Sequence, residues 1–281
     1  MKTANSRFLT RIAAAGLFLA MQPAAWAQNT ETLGILPRVH ETVATSSFGI
    51  GYKGALDTYL SNAAYSGVSF QFSQLKTSSV YELKYFSFHD SRSSMSFSAM
   101  TNQRGNGSMI GGEWSDIFTW EHMLLHTQSV DLLAGPSAVS SMGILYNERN
   151  SNNPAQFKFL LSAAVSGKAI YRFSLLRRHM ALTADLSVPV LGTTFAPDYG
   201  EPYFILATYR GLGSAFRIAT PFNAPALFSD LTLTIPAGRN NRLSLTYEAN
   251  YTGYTIAGQK SAIANQVFMA GFTRRLELKK D

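Results

Sequence analysis

The sequence predicts an all-β protein, an antiparallel transmembrane β-barrel of about 12 strands within a range of about 10 to 14. Three observations predict it. Apolar residues recur with period two through most of the chain, the positions between them are filled by Ser, Thr, Gln, Gly and Asn rather than by charges, and the chain starts with an export pattern. Composition agrees: 46% of residues are hydrophobic and 12% aromatic but only 15% charged, well under the roughly 25% charged of an ordinary soluble domain. No segment after the start approaches the ~18 consecutive apolar residues of a membrane-spanning helix. The absence of cysteine excludes a disulfide scaffold, a thiolate metal site and a thiol nucleophile.

The first element, residues 1–27, is a secretory signal peptide. Lys2, Arg7 and Arg11 form its basic start, Ile12 to Met21 its apolar run, and Ala25-Trp26-Ala27 its small-residue cleavage site, which predicts a mature start at Gln28. It takes 3 of the 24 basic residues and none of the 17 acidic ones, so the formal charge falls from +7 to 21 − 17 = +4. With no basic stripe left, nucleic acid is excluded as a partner. Residues 28–45 carry no firm pattern and are expected to form a periplasmic lead-in, with the barrel over 46–281.

Within the barrel, one parity is apolar at Phe48/Ile50/Tyr52, Val68/Phe70/Phe72, Tyr81/Leu83/Tyr85, Met95/Phe97/Ala99, Phe157/Phe159/Leu161, Met180/Leu182/Ala184/Leu186, Leu231/Leu233/Ile235, Leu243/Leu245/Tyr247 and Phe268/Ala270/Phe272. Each set lies on one face of a strand. Turn residues break the chain at Asn102–Gly107, Asn147–Pro154, Ala196–Pro202 and Ala237–Asn241, where Gly, Asn and Pro supply the special dihedrals. After Phe272 the chain ends in a charged tail. Near Gly167-Lys168 a long strand and a two-residue hairpin fit the pattern equally.

A soluble β-sandwich acting as a binding module is the competing architecture. It usually carries many charges on its exposed faces, whereas here Tyr and Phe crowd the apolar parity, as lipid-facing belts do around a polar interior. The expected location is the outer membrane of a Gram-negative cell, with outer-membrane lipid and the insertion machinery as partners and no cofactor. A small solute, if any, is not specified by the sequence.

The motifs Leu56-Asp57-Thr58-Tyr59-Leu60-Ser61 with Tyr65-Ser66-Gly67, Asn150 to Gln156, Pro189-Val190-Leu191-Gly192 leading to Asp198-Tyr199-Gly200, and Asn223-Ala224-Pro225 with Val267 to Phe272 occur in order along the chain. In this set the chain resembles an uncharacterised family of outer-membrane β-barrel proteins found in Bacteroidetes. The resemblance implies fold and compartment and transfers no catalytic residue.

The inward parity places Glu82, Lys84, Lys158, Lys168, Arg172, Asp185, Asp230, Glu248, Arg275 and Glu277 as lumen-lining candidates, five acids and five bases. In a barrel of this size such charges either pair into a plug or line a narrow pore. The function expected is therefore a structural barrel or a narrow solute channel, not an enzyme. The one catalytic alternative is a lipid hydrolase built on a lipid-facing His89-x-Ser91 pair, the His as base for the Ser; Asp90-Ser91-Arg92-Ser93 also fits a simple turn. His122 and His126 lack the Glu of a zinc helix motif, and Asn147–Asn153 holds one carboxylate, Glu148, too few for calcium. No metal is expected.

Overall fold

A computed structural model of the chain describes residues 36–37, 41–79, 87–151, 153–175, 178–237 and 241–277. The signal segment and the Tyr81/Leu83/Tyr85 run lie outside the described residues, as do Glu82 and Lys84. The strands are β1 (Glu41–Asp57), β2 (Ser61–Ser79), β3 (Phe88–Asn102), β4 (Ser108–His126), β5 (Val130–Asn147), β6 (Ala155–Leu175), β7 (Arg178–Phe195), β8 (Phe216–Ala219), β9 (Ala226–Pro236), β10 (Asn241–Ile256) and β11 (Gln259–Glu277).

Every neighbouring pair is antiparallel, and the sheet closes on itself through β1–β11 and β6–β7. β8 and β9 both pair with β7, at its two ends, so they share one place in the wall. The result is a closed barrel of ten staves, not about twelve. The strands are long, up to the 21 residues of β6, and residues 196–215 add no stave. β6 runs unbroken through Gly167-Lys168, so the long-strand alternative is the one the chain adopts. β1 starts at Glu41, inside the stretch expected as lead-in; its inward residues there are Val43, Thr45 and Ser47, too mixed in polarity to show a pattern.

The four breaks read from the sequence all fall between strands. A fifth, Ala257-Gly258, joins β10 to β11 in two residues at φ 54 and 75. Two positive φ values make the primed turn that matches strand twist, but an alanine at the first of them conceals it in sequence.

Polarity is inverted relative to a soluble core. Outward side chains include Phe268, Phe48, Ile50 and Phe97, the first of them 70% exposed. Inward ones include many Ser, Thr and charged residues beside apolar clusters such as that of Met100, Met109 and Ile263: Ser73–Ser94 (3.0 Å), Thr45–Thr273 (2.8 Å), Thr232–Thr246 (2.9 Å) and the chain Ser137–Ser166–Ser187 bond hydroxyl to hydroxyl around the inner wall. Buried polar groups need such partners, and alternate residues on adjacent staves supply them at each other's height.

Candidate functional site: a charge network across the interior

Strand alternation sends every second side chain inward, where the lysines and arginines are long enough to cross. Lys158 of β6 donates to Asp57 of β1, to Ser261 Oγ at 2.9 Å and to Tyr254 OH at 3.2 Å. β6 and β1 are five places apart in a ring of ten, so this ion pair joins opposite walls. Arg92 of β3 reaches Asp230 of β9, also five places away, and lies 3.6 Å from Asp185. Lys53 of β1 donates to Glu113 of β4 at 2.7 Å, with Ser141 on the other carboxylate oxygen at 3.1 Å. Lys168 of β6 sits among Asp90, Glu121 (3.0 Å) and Asp185 (3.5 Å). Glu248 accepts from Gln71 Nε2 at 2.6 Å and Asn250 at 2.5 Å, and Gln71 in turn accepts from Asn265 at 2.9 Å.

These crossings leave little room. A cavity of ≈ 40 Å³ lies beside Lys53, Lys158 and Tyr254, and one of ≈ 70 Å³ beside Arg92, Lys168, Asp185 and Asp230. About 10 to 15 Å³ of such space holds one water, so each has room for only a few waters. Asp90, Glu121 and Asp185 are close enough together to hold a metal ion, but the Lys168 ammonium stands among them as their counter-ion.

Both mouths are narrowed as well. Residues 196–203 cross the end that carries the β1–β2 and β10–β11 turns: Tyr59 OH donates to the Glu201 carbonyl (2.8 Å), Tyr199 N to Ala257 O (3.3 Å) and Gln259 Nε2 to Asp198 O (3.1 Å). Tyr203 OH accepts from Phe157 N and donates to Gln156, while its ring meets Tyr59 edge-on at 5.7 Å. Burial raises both phenols, Tyr59 to about 12, so they remain donors. At the other end Leu36 packs on Leu133, Ile170 and Ala181. An 860 Å³ bowl outside the first mouth, near Asn62, Arg104 and Arg149, is open to solvent.

The mouth strap is clasped by charge. Asp198 meets Arg210 at 2.5 Å and Arg217 at 2.9 Å, and Glu201 meets Arg210 at 3.0 Å. The Arg210 hydrogen bond, with both guanidiniums near, holds the Asp198 carboxyl below its ordinary 3.8. A carboxyl lowered on folding stabilises above its unfolded value and loses that contribution as pH falls through the folded one. Hydrogen exchange over 196–215, corrected for intrinsic rates, is therefore expected to speed up as pH drops below about 3.8. In Arg210→Gln the pH-dependent part of this acceleration should shrink; an undiminished one would show that the clasp does not hold the strap.

Of the sequence-derived candidates, Lys158, Lys168, Asp185, Asp230 and Glu248 meet in the network. Arg172 bonds Asp131 at the end near Leu36, where His126 Nδ1 also meets Asp131 at 2.7 Å. Arg275 pairs with Glu41 at 3.5 Å, also at a strand end. Glu277 pairs through its backbone with Glu41, and its side chain lies outside the described atoms. His89 and Ser91 flank the inward Asp90; the His89 ring lies 5.4 Å from Trp120 and 6.4 Å from Phe118, and no hydrogen bond joins it to Ser91 among the described residues. His122 is exposed on β4. Within the Asn147–Asn153 loop Asn150 Nδ2 donates to Leu60 O and Asn147 Oδ1 accepts from Arg149 N.

Lys53, Asp57, Asp90, Arg92, Glu113 and Glu121 were missed. Their signal was available: Asp90 and Arg92 share parity with Ser94, Ser96 and Ser98 against Met95 and Phe97, and Lys53 shares it with Ser47 against Phe48, Ile50 and Tyr52.

Closed wall, polar interior and opposite-wall ion pairs define the class: an all-β closed barrel whose lumen its own side chains occupy. Within that class, the chain belongs to the family described as "Protein of unknown function (DUF3316)", which it matches over residues 14–280. No curated protein matches it. Among solved structures it is similar to the outer membrane protease OmpT from Escherichia coli, at 10% identity and TM-score 0.41 over 88% of this chain and 100% of that one. It is similar to the translocator domain of the autotransporter NalP from Neisseria meningitidis (9%, 0.40, 97% and 96%). The transport unit of the autotransporter AIDA-I from Escherichia coli gives 8%, 0.40, 93% and 96%.

Proposed function

We propose that the mature chain is an outer-membrane β-barrel, exported under residues 1–27, that works as a non-enzymatic structural barrel with a closed lumen rather than as an open solute channel. The observation that carries the membrane reading is the inversion of polarity. Outward Phe, Ile, Leu and Tyr side chains surround the wall, an apolar surface of a kind that soluble monomers rarely expose, and closure through β1–β11 and β6–β7 pairs the wall strands into a ring, with residues 188–191 of β7 lacking a ladder partner on one side among the described strands. Opposite-wall ion pairs support the closed lumen, since charges that conduct must be free to exchange partners with a solute.

Cell fractionation combined with electrophoresis tests the placement. Full-length protein should partition with the outer membrane and migrate differently on SDS gels before and after boiling. Recovery in the aqueous fraction without detergent would reject the membrane reading.

A further inference from the structure

The wall has a break. Between the pairs Ser187↔Phe228 and Gly192↔Ala219, residues 188–191 of β7 have no ladder partner on the β8–β9 side, and the facing segment 220–225 loops away. The sequence builds this break. Val190 is skipped in the β6–β7 register, a bulge that leaves both Val190 and Leu191 exposed. Pro189, Pro221 and Pro225 lack the N–H that a ladder needs. The loop is held from β10, where Thr255 N donates to Asn223 O (2.8 Å) and Gly253 N to Pro225 O (2.9 Å).

Both sides of the break are apolar. Outside it, Phe222 is 98% exposed and Ile218 70%, continuing the apolar outer surface. Inside it, Ala164, Ala219, Ala224 and Ala226 belong to one buried cluster with Val139 and Leu160, separate from the apolar clusters of Met100, Met109 and Ile263 and of Leu133 and Ile170. The ≈ 40 Å³ cavity touches Leu160, Ala224 and Ala226. Interrupted backbone pairing is costly in hydrocarbon, so a proline-enforced gap over an alanine-lined apolar patch calls for a use.

We infer that this break is a lateral entry through which one lipid acyl chain passes from the membrane into the apolar patch behind β7 and β9. The inference rests on the membrane reading above. An acyl chain is the occupant because the outward rim of the break is continuous with the surface that hydrocarbon would cover. The patch also offers no free charge to a polar solute, Lys53 and Lys158 being paired with Glu113 and Asp57. The cavity has room for only a few waters, so the 220–225 loop must swing on its β10 attachments as the chain enters.

Photolabelling tests this. Purified full-length protein is placed in phosphatidylcholine vesicles, and a diazirine at the chain end is carried either by the phosphatidylcholine or by a free fatty acid. After irradiation, adducts are mapped by peptide mass spectrometry. The expected pattern is labelling of outward Phe48, Phe70 and Phe268 together with inward Ile117, Val139 and Leu160. Inward labelling from phosphatidylcholine identifies membrane lipid as the source, and from fatty acid alone a free acid. In Ala164→Leu/Ala226→Leu, which overfills the patch, inward labelling should fall about tenfold with outward labelling unchanged. Outward adducts without inward ones in the wild type overturn the lateral entry and leave the membrane placement standing. Missing outward adducts overturn the membrane placement itself. Should the filled variant not fold, the wild-type pattern decides alone.

Discussion

Arg92→Ala is expected to destabilise the barrel by about 3 to 5 kcal/mol, the cost of leaving a buried charge without its partner. Arg92 is the cation bonded to Asp230, whose side chain is 4% exposed, and the next cation, Lys168, is already shared among Asp90, Glu121 and Asp185. The loss should appear as a lower urea midpoint in micelles, followed by the change of mobility on unheated gels. Arg92→Leu/Asp230→Leu should recover most of it, because a pair replaced by apolar groups of similar size leaves nothing unpaired. A single variant within about 0.5 kcal/mol of wild type would mean that the network is solvated and the lumen wet.

The second large effect is conductance. Wild-type protein in planar bilayers should be silent, since Lys158–Asp57 and Arg92–Asp230 each tie opposite staves across the lumen. Converting these four residues together to serine removes both ties without stranding a charge. That variant should pass ions in steps, the long side chains having been replaced by groups that leave space for water. Equal stepwise currents from wild type and variant would show that the pairs do not close the barrel and would favour the channel reading.

Much of the wall was legible because strand periodicity is local. Phe48/Ile50/Tyr52 and Phe268/Ala270/Phe272 announce their faces within a few residues, and Asn102–Gly107 announces its turn. Stave number was not legible in the same way. Residues 196–225 contain strand-like and turn-like residues in equal measure, and only tertiary pairing shows that β8 and β9 fill a single place.

The site divides along the same line. Parity alone put Lys158, Lys168, Asp185, Asp230 and Glu248 on the inner face. It could not say that Lys158 meets Asp57 across the ring, because that depends on how many staves close it and how far each is displaced along its neighbour. Asp90 and Arg92 were hidden for a different reason: in Asp90-Ser91-Arg92-Ser93 the Asp and both Ser are good turn formers, and the β4 partner strand overrides that local preference.

The seam that closes the wall joins β1 to β11, pairing Glu41 with Glu277 at one end and Asp57 with Ser261 at the other. The first stave of the barrel thus waits for the last one to be made, and closure is the most non-local event the chain can perform, of the kind that slows folding. A chain ending before Gln259 would not be a slightly narrower barrel. It would be an open sheet with two bare edges, β1 and β10, and unpaired edges invite association with other copies. Loss of the final hairpin is therefore an all-or-none lesion, whereas an insertion in an exposed turn such as 103–106 alters one end and leaves the ring intact.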